Sequence, residues 1–374
     1  MKEKEITIVA YYFGKKLGAG VFMENLHPLL IPKLQDAGYN VTLVTNSYFL
    51  QDCGSKIPSN VNIISPRWLM RPSFSKLYFL LFFGFTRYVR NAQCVLFSID
   101  SIIGFRMKNV VSIIHDINEF ALENKLGRFR TFFRKQMIKQ TLKKARQVIV
   151  ISNFVREQIA TYLPQLYSDK INVIHSGISM FSFSQETEAP QLSPFPYFII
   201  VGRIDPKAKC LYEAVTVFSA YQKKHPEFRL KIVGGINAFC QEDANEFLSV
   251  ISRNENIEYL GYVSDKDLDS LYRNAFATIF MSKLEGFGFP LLESFYRGCP
   301  VITSTENAVN KEISSNLDID IADAELAQEE LICEKIDKTQ QINKEDLIHT
   351  ALQFTWEKTA ARYYEFLMAI YSKP

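Results

Sequence analysis

Short runs of consecutive apolar residues alternate with longer amphipathic stretches along this chain, and the alternation predicts its elements. Ile6-Thr7-Ile8-Val9-Ala10 reads as a buried strand. Leu17-Gly18-Ala19-Gly20 follows, then a helical pattern of Phe22, Leu26, Leu29, Leu30 and Leu34 that ends near Gly38. Val41-Thr42-Leu43-Val44 is the next strand, so strand, glycine loop, helix and strand form a βαβ unit with parallel pairing. Further buried-strand runs lie at 61–64, 94–97, 110–114, 148–151 and 171–174. The stretch 182–196 (SFSQETEAPQLSPFP) is polar, carries prolines and has no periodicity, which makes it a linker. The alternation then restarts with Tyr197-Phe198-Ile199-Ile200-Val201, a helix over 211–224, a strand over 229–233 and a helix over 241–254, with strands near 258–260 and 277–280. Residues 355–374 are helical, with apolar positions at Trp356, Tyr363, Phe366, Leu367 and Ile370. The expected architecture is α/β: two Rossmann-like, doubly wound parallel-sheet domains, 1–181 and 197–354, joined by the linker 182–196 and followed by a helix over 355–374. Ligands of such folds bind beyond the carboxyl ends of the strands, so a cleft is expected where the two sheets face each other.

The most informative segment is Glu285-Gly286-Phe287-Gly288-Phe289-Pro290-Leu291-Leu292-Glu293. It reads as a glycine loop opening a short helix, with Pro290 at the first helical position, where its missing N–H leaves no bond unmade. Gly298 and Pro300 close the helix, and Val301-Ile302-Thr303 resumes as a strand. Amides at a helix start suit a phosphate. The carboxylates of Glu285 and Glu293 instead accept hydrogen bonds from sugar hydroxyls. Donors for phosphate beside acceptors for hydroxyls describe a nucleotide-sugar pocket. Gly202 and Arg203 follow the first strand of the second half, with Lys207 and Lys209 close behind, and cations there can grip a diphosphate. In the first half His115-Asp116 follows the apolar run 110–114, which aims His115 at the cleft.

The net charge of +3 is too small to imply a nucleic-acid partner, but its distribution is uneven. Nine basic residues (Lys125, Arg128, Arg130, Arg134, Lys135, Lys139, Lys143, Lys144 and Arg146) fall within 123–147, with Phe129, Phe132, Phe133 and Met137 among them. Leu77-Tyr78-Phe79-Leu80-Leu81-Phe82-Phe83-Gly84-Phe85 is flanked by Arg67, Arg71, Lys76, Arg87 and Arg90. Basic amphipathic segments of this kind suit an anionic membrane surface. No apolar run is long enough to span a bilayer, no signal peptide precedes the first strand, and six scattered cysteines lack paired spacing. A cytoplasmic chain is expected, with peripheral contact to the inner face of the plasma membrane through 67–90 and 123–147.

Those segments together resemble the retaining glycosyltransferases of family 4. The resemblance rests on YFIIVGRIDPKAK (197–209), LGYVSDKDLDSLYRNA (260–275), SKLEGFGFPLLESFYRGCPVITS (282–304) and FTWEKTAARYYEFL (354–367). VVSIIHDINEF (110–120), VIVISNFVREQI (148–159) and INVIHSGI (171–178) add to it in the first half. It implies the two-Rossmann GT-B fold, with the terminal helix crossing back to the first domain. It implies that Arg203 and Lys209 bind the donor diphosphate, that Glu293 holds the nucleotide ribose, and that Glu285 with the amides of Gly286, Phe287 and Gly288 contacts donor sugar and phosphate. His115 would lie beside the transferred sugar, and base selection would come from main-chain contacts near Gly261, Tyr262 and Val263. Three departures stand out: Lys209 falls one residue late, so Lys207 is a second candidate for its role. Gly18-Ala19-Gly20 replaces an adjacent glycine pair, leaving Gly20 as the candidate phosphate contact. The stretch after Ser304 lacks a proline–glutamate pair, and Glu312 is the candidate to stand in for its acid.

The expected activity is metal-independent transfer, with retention, of a hexose from a GDP-, UDP- or dTDP-sugar to a saccharide acceptor, lipid-linked, in building O-antigen, capsule or exopolysaccharide. No cofactor is expected beyond that donor substrate. The alternatives are a synthase of soluble disaccharides or glycosides, and a catalytically inactive glycosyltransferase-like binding subunit.

Overall fold

The apolar runs become strands of two all-parallel sheets in the computed structural model, which describes residues 4–13, 18–98, 103–104, 106–121, 128–178, 194–236, 240–306, 308–314, 317, 319–321 and 328–371. The chain divides into two compact units, Met1–Gly177 with Phe354–Pro374, and Ile178–Gln353. The expected linker falls, except for residues 194–196, outside the described residues.

The sheet of the first unit contains β1 (Glu5–Val9), β2 (Asn40–Val44), β3 (Asn62–Ile64), β4 (Cys94–Phe97), β5 (Val110–Ile114), β6 (Gln147–Val150) and β7 (Ile171–Val173), in the order β3-β2-β1-β4-β5-β6-β7. Every residue of β4 and β5 is buried, as expected for strands covered on both faces by helices. Those helices are α1 (Gly18–Asp36), α2 (Ser47–Cys53), α3 (Pro72–Leu81), α4 (Arg87–Arg90), α5 (Arg128–Lys144) and α6 (Asn153–Tyr162). Two starts carry side-chain caps: Asn46 accepts from the amide of Phe49, and Ser152 from that of Val155. One expectation changes here. Gly18 to Gly20 form the first turn of α1 rather than a loop before it. The apolar stretch 77–85 is α-helical to Leu81 and tightens into a 3-10 turn over Phe83–Phe85. Phe79 and Phe83 enter the core, whereas Leu77, Phe82 and Phe85 face solvent at 51%, 57% and 51% exposure.

The second unit repeats the plan with β8 (Tyr197–Val201), β9 (Arg229–Val233), β10 (Ile257–Gly261), β11 (Ala277–Phe280), β12 (Val301–Ser304) and β13 (Asp320–Ile321), in the order β10-β9-β8-β11-β12-β13. Its helices are α7 (Leu211–Lys224), α8 (Gln241–Ile251), α9 (Asp265–Asn274), α10 (Phe289–Tyr296), α11 (Ala308–Ile313), α12 (Glu329–Thr339) and α13 (Lys344–Ala351). One core cluster packs Phe198, Val217, Phe218 and Leu230 with Ile332 and Ile336 of α12. The two-residue strand β13 and the helices α11 to α13 carry too little periodic apolar sequence to be read in advance.

The last helix, α14 (Trp356–Tyr371), belongs to the first unit and packs along α1. The Phe22 ring meets those of Trp356 and Tyr363 edge-on at 5.5 and 6.1 Å, and Thr359 Oγ1 donates to the carbonyl of His175 at 2.9 Å.

Candidate functional site

In the second sheet the strand order reverses between β8 and β11, the position at which open α/β sheets leave a crevice for ligands. Gly202 and Arg203 leave β8 there. The chain then makes a turn in which Asp205 Oδ1 accepts from the amide of Ala208 at 3.2 Å and the Asp205 carbonyl accepts from that of Lys209 at 2.9 Å. Cys210, in the left-handed region at φ 49°, swings the chain into α7. The loop after β11 is tied to this turn by Ser282 Oγ, which donates to the carbonyl of Ala208 at 3.2 Å. The two loops thus bring Lys209 Nζ into an ion pair with Glu285 Oε1, the side chains being only 21% and 12% exposed. Arg203 is exposed, with no side-chain hydrogen bond or ion pair among the described residues, and lines a cavity with Gly202, Lys209 and Met281. Lys207 is turned elsewhere: it is 78% exposed and pairs with Asp243 of α8 at 2.8 Å, which separates it from the role considered for Lys209.

The carboxyl ends of β8, β9 and β10 are stitched together through glycine. The Gly202 amide donates to the carbonyl of Val233 at 2.9 Å, and the Gly234 amide to that of Gly261 at 2.8 Å. Gly234 has φ +144°, and a Cβ there would stand 1.8 Å from the Gly202 carbonyl oxygen. Only glycine allows this approach. Gly234-Gly235 was not among the expected site residues, although a glycine pair directly after a strand is the signal the sequence offers for it. Beyond Gly261 the Tyr262 side chain is 85% exposed, whereas Val263 packs against the cluster of Ile199, Val233 and Tyr272. Val263 is therefore partly buried, with part of its side chain taken up by the core.

Gly288 (φ +77°) caps α10, and Pro290 sits in its first turn one position later than expected. At the other end Gly298 (φ +66°) closes the helix, its amide donating to Phe295 and that of Cys299 to Ser294. Ser294 Oγ donates to the Cys299 carbonyl at 3.0 Å, so Thr278 of β11 must donate in the 2.7 Å contact between their hydroxyls. The bond fixes α10 to the sheet. Phe287 is 2% exposed, its ring edge-on to Phe289, so its side chain is core and only its backbone remains a candidate contact.

Glu293 falls in the second turn of α10, too far along for the helix start to be its main partner. Its carboxylate accepts from Tyr272 Oη at 3.2 Å. The Arg297 guanidinium lies over the Tyr272 ring at 5.3 Å, donates to the Glu293 carbonyl at 2.9 Å, and pairs with Asp269 at 2.9 Å. Burial pushes the Glu293 carboxyl above the usual carboxylate range, while Arg297 and the Tyr272 hydrogen bond pull it back. Asp269, Tyr272 and Arg297 were missed as site residues, because a buried charge pair on amphipathic helices looks in sequence like two solvated faces.

In the first unit His115 leaves β5 and its Nε2 contacts the carbonyl of Ser98, which follows β4, at 3.0 Å. A carbonyl only accepts, so Nε2 carries a proton, and in the neutral ring Nδ1 is then the acceptor. Phe22 of α1 holds the ring edge-on at 4.7 Å. Gly20 is buried in the first turn of that same helix. The next residues are anchored by α5: Arg134 pairs with Asp116 at 3.2 Å and with the buried Glu119 at 2.8 Å. This basic helix is therefore not a uniform surface. Arg134 serves the His115 loop, Lys135 lies over the Phe120 ring at 5.3 Å, and Met137 is 9% exposed, whereas Phe132 is 61% exposed. Lys125 and the side chains of Arg128, Phe129 and Arg130 lie outside the described residues. No helix among the described residues is long and apolar enough to cross a membrane.

Known proteins share this organisation. The family described as glycosyl transferases group 1 matches residues 184–348, and glycosyltransferase family 4 matches residues 29–180. O-antigen chain mannosyltransferase B of Escherichia coli is 24% identical over 67% of this chain and 68% of its own length. O-antigen chain mannosyltransferase RfbU of Salmonella typhimurium is 27% identical over 53% of this chain, which spans about half of that protein (52%). Among solved structures, Anabaena HepE in complex with UDP and glucose superimposes with a TM-score of 0.68 at 15% identity, covering 98% of this chain and 100% of its own. The lipopolysaccharide outer core galactosyltransferase WaaB gives 0.65 at 14% identity, covering 99% and 100%. At such identity the likeness to solved structures establishes the fold.

Proposed function

The chain belongs to the glycosyl transferases of group 1 and glycosyltransferase family 4, and on that premise we propose that it moves a mannosyl or related hexosyl group from a nucleoside diphosphate sugar to a saccharide of the O-antigen type. The observation that carries the proposal is the group at the switch point of the second sheet: Arg203 exposed, Lys209 paired with Glu285, and Glu293 one helix turn beyond a glycine-capped start. The two mannosyltransferase relatives support the sugar, and the UDP complex of HepE supports the donor class.

In the proposed reaction the bond between the anomeric carbon and the diphosphate oxygen breaks, and its electron pair goes to the β-phosphate. Arg203 and Lys209 stabilise that developing charge, a task a metal ion would otherwise perform. The acceptor hydroxyl adds to the anomeric carbon on the face the diphosphate leaves, so the configuration is retained, and its proton passes to the departing phosphate. Glu293 accepts hydrogen bonds from the ribose hydroxyls, Tyr262 offers a face to the base, and Glu285 with the backbone of Gly286 to Gly288 contacts the sugar. His115 is proposed to position the transferred sugar through Nδ1.

The acceptor is proposed to be lipid-linked, with the first unit resting on an anionic inner leaflet. Exposed Leu77, Phe82, Phe85 and Phe132 support this, with Arg87 and Arg90 exposed nearby and Arg106 lying over Phe85 at 4.8 Å. Co-sedimentation with phosphatidylglycerol vesicles but not phosphatidylcholine vesicles is expected at low salt. Failure to bind either would remove the lipid part of the proposal.

The decisive experiment for the reaction is thermal stabilisation by GDP, UDP, ADP and dTDP, followed by transfer from the matching hexose donor. A nucleotide at a hundredfold its Kd should stabilise by about 2.7 kcal/mol. No response to any nucleotide, or unchanged transfer in Arg203→Ala and Lys209→Ala, would overturn the assignment.

A further inference from the structure

We propose that Arg297 and Tyr272 are positioning residues for the donor: they hold Glu293 as an oriented, ionised acceptor for the ribose hydroxyls. The inference rests on the proposed role of Glu293 and adds what that role requires. A carboxylate clamps two vicinal hydroxyls only when it is ionised, because a protonated carboxyl must use one oxygen as a donor. Glu293 is in a place that works against this, since burial favours its neutral form.

Two groups oppose that tendency. Tyr272 is fully buried and its hydroxyl donates to Glu293 Oε2, which fixes the carboxylate plane. Arg297, only 7% exposed, grips the Glu293 carbonyl one helical turn back and adds a cation beside the carboxylate. Arg297 is itself held by Asp269, 6% exposed, through the 2.9 Å pair, and by stacking on Tyr272. Arg273, half exposed, makes a second bond to Asp269 at 2.7 Å, so Asp269 stays satisfied.

The remaining charges around Glu293 are few. Asp265 of α9 disfavours its ionisation. β11 and β12, against which α10 packs, contribute no titratable side chain, and α13 brings Lys344 against Gly298 at the far end of the helix. The favourable influences thus come from Arg297 and Tyr272. Holding Arg297 in a buried pair with Asp269 leaves it unable to swing out to solvent, so its cation stays where Glu293 needs it.

The test is donor KM and kcat against pH from 6 to 9, for wild type, Tyr272→Phe, Arg297→Met, Arg297→Lys and Glu293→Gln. Tyr272→Phe and Arg297→Met are expected to raise donor KM about tenfold at pH 7, with kcat little changed and KM recovering towards pH 9 as Glu293 ionises. Arg297→Lys should restore part of the loss, and in a Glu293→Gln background neither substitution should produce a pH-dependent KM. A uniform loss across pH in both folded variants would overturn the inference, as would unchanged KM in Tyr272→Phe, which keeps the ring and is the safeguard should Arg297→Met fail to fold. Failure of the ribose assignment itself would read differently, as a donor KM unaffected by Glu293→Gln.

Discussion

Lys209 and Glu285 stand 76 residues apart in sequence and meet as a shielded ion pair where the strand order of the second sheet reverses. The pair neutralises the cation that would bind a diphosphate, so the two residues should respond differently to substitution. Lys209→Ala removes a charged donor and is expected to weaken nucleoside diphosphate binding by about 1.5–3 kcal/mol. Glu285→Ala frees the ammonium, so diphosphate binding should hold or tighten while sugar transfer drops on the order of a hundredfold through lost positioning. Titration calorimetry with the nucleoside diphosphate, set beside a transfer assay, separates the two effects. A parallel loss of binding in both variants would show that the pair acts only as a structural tie.

Much of this site was legible in the chain. Glycine and cations directly after an apolar run read as ligand contacts because a parallel sheet puts its crevice at strand ends, and Arg203, Lys209 and Glu285 do sit there. What stayed hidden depends on contacts between distant segments. Nothing local distinguishes Lys207 from Lys209, yet one reaches Asp243 and the other Glu285. Arg297 and Asp269 lie 28 residues apart on two helices, and only their packing turns two ordinary charges into a buried pair. Phe287 looked like part of a loop and is core, because the left-handed Gly288 beside it lets the chain turn the ring inward.

The seam between the β8 and β9 loops gives a sharp stability test. Gly234→Ala would drive a Cβ into the Gly202 carbonyl and force alanine into a left-handed backbone. A cost of about 3 kcal/mol or more is expected, within the range of large core and backbone effects. Gly235→Ala is the control, since a Cβ there meets nothing within 4 Å. Urea denaturation of the two variants should differ by most of that amount, and similar midpoints would mean the loop shifts at little cost.

His27 makes the stability of the first unit sensitive to acid. It is fully buried on α1 with no hydrogen-bond partner for either ring nitrogen among the described residues, and burial pushes its pKa down to about 3. The unfolded value is near 6.5, so protons bind the unfolded chain first. Stability is intact above about pH 6.5 and falls as pH drops towards 3, by up to roughly 1.4 kcal/mol per unit. His27→Leu removes this contribution while keeping an apolar side chain. Between pH 7 and pH 5 the wild type should therefore lose about 2 kcal/mol more than His27→Leu in urea unfolding. Equal losses would mean that a proton reaches the folded His27 after all.

Tyr262 offers the cleanest separation of binding from folding. At 85% exposure its ring buries little area, so Tyr262→Ala should leave the melting temperature within about a degree of wild type. Its backbone follows Gly261, whose carbonyl is bonded to the Gly234 amide, so the ring is carried by the same seam that holds Gly202 and, beyond it, Arg203. A base stacked on that ring would contribute about 1–3 kcal/mol, by analogy with base–aromatic stacking elsewhere. Tyr262→Ala is thus expected to weaken nucleoside diphosphate binding by roughly five- to 150-fold while leaving affinity for inorganic pyrophosphate unchanged. Tyr262→Phe, which keeps the face and loses only the hydroxyl, should bind like wild type. Loss in Tyr262→Phe as large as in Tyr262→Ala would reassign the contact to the hydroxyl, and no loss in either would place the base away from β10.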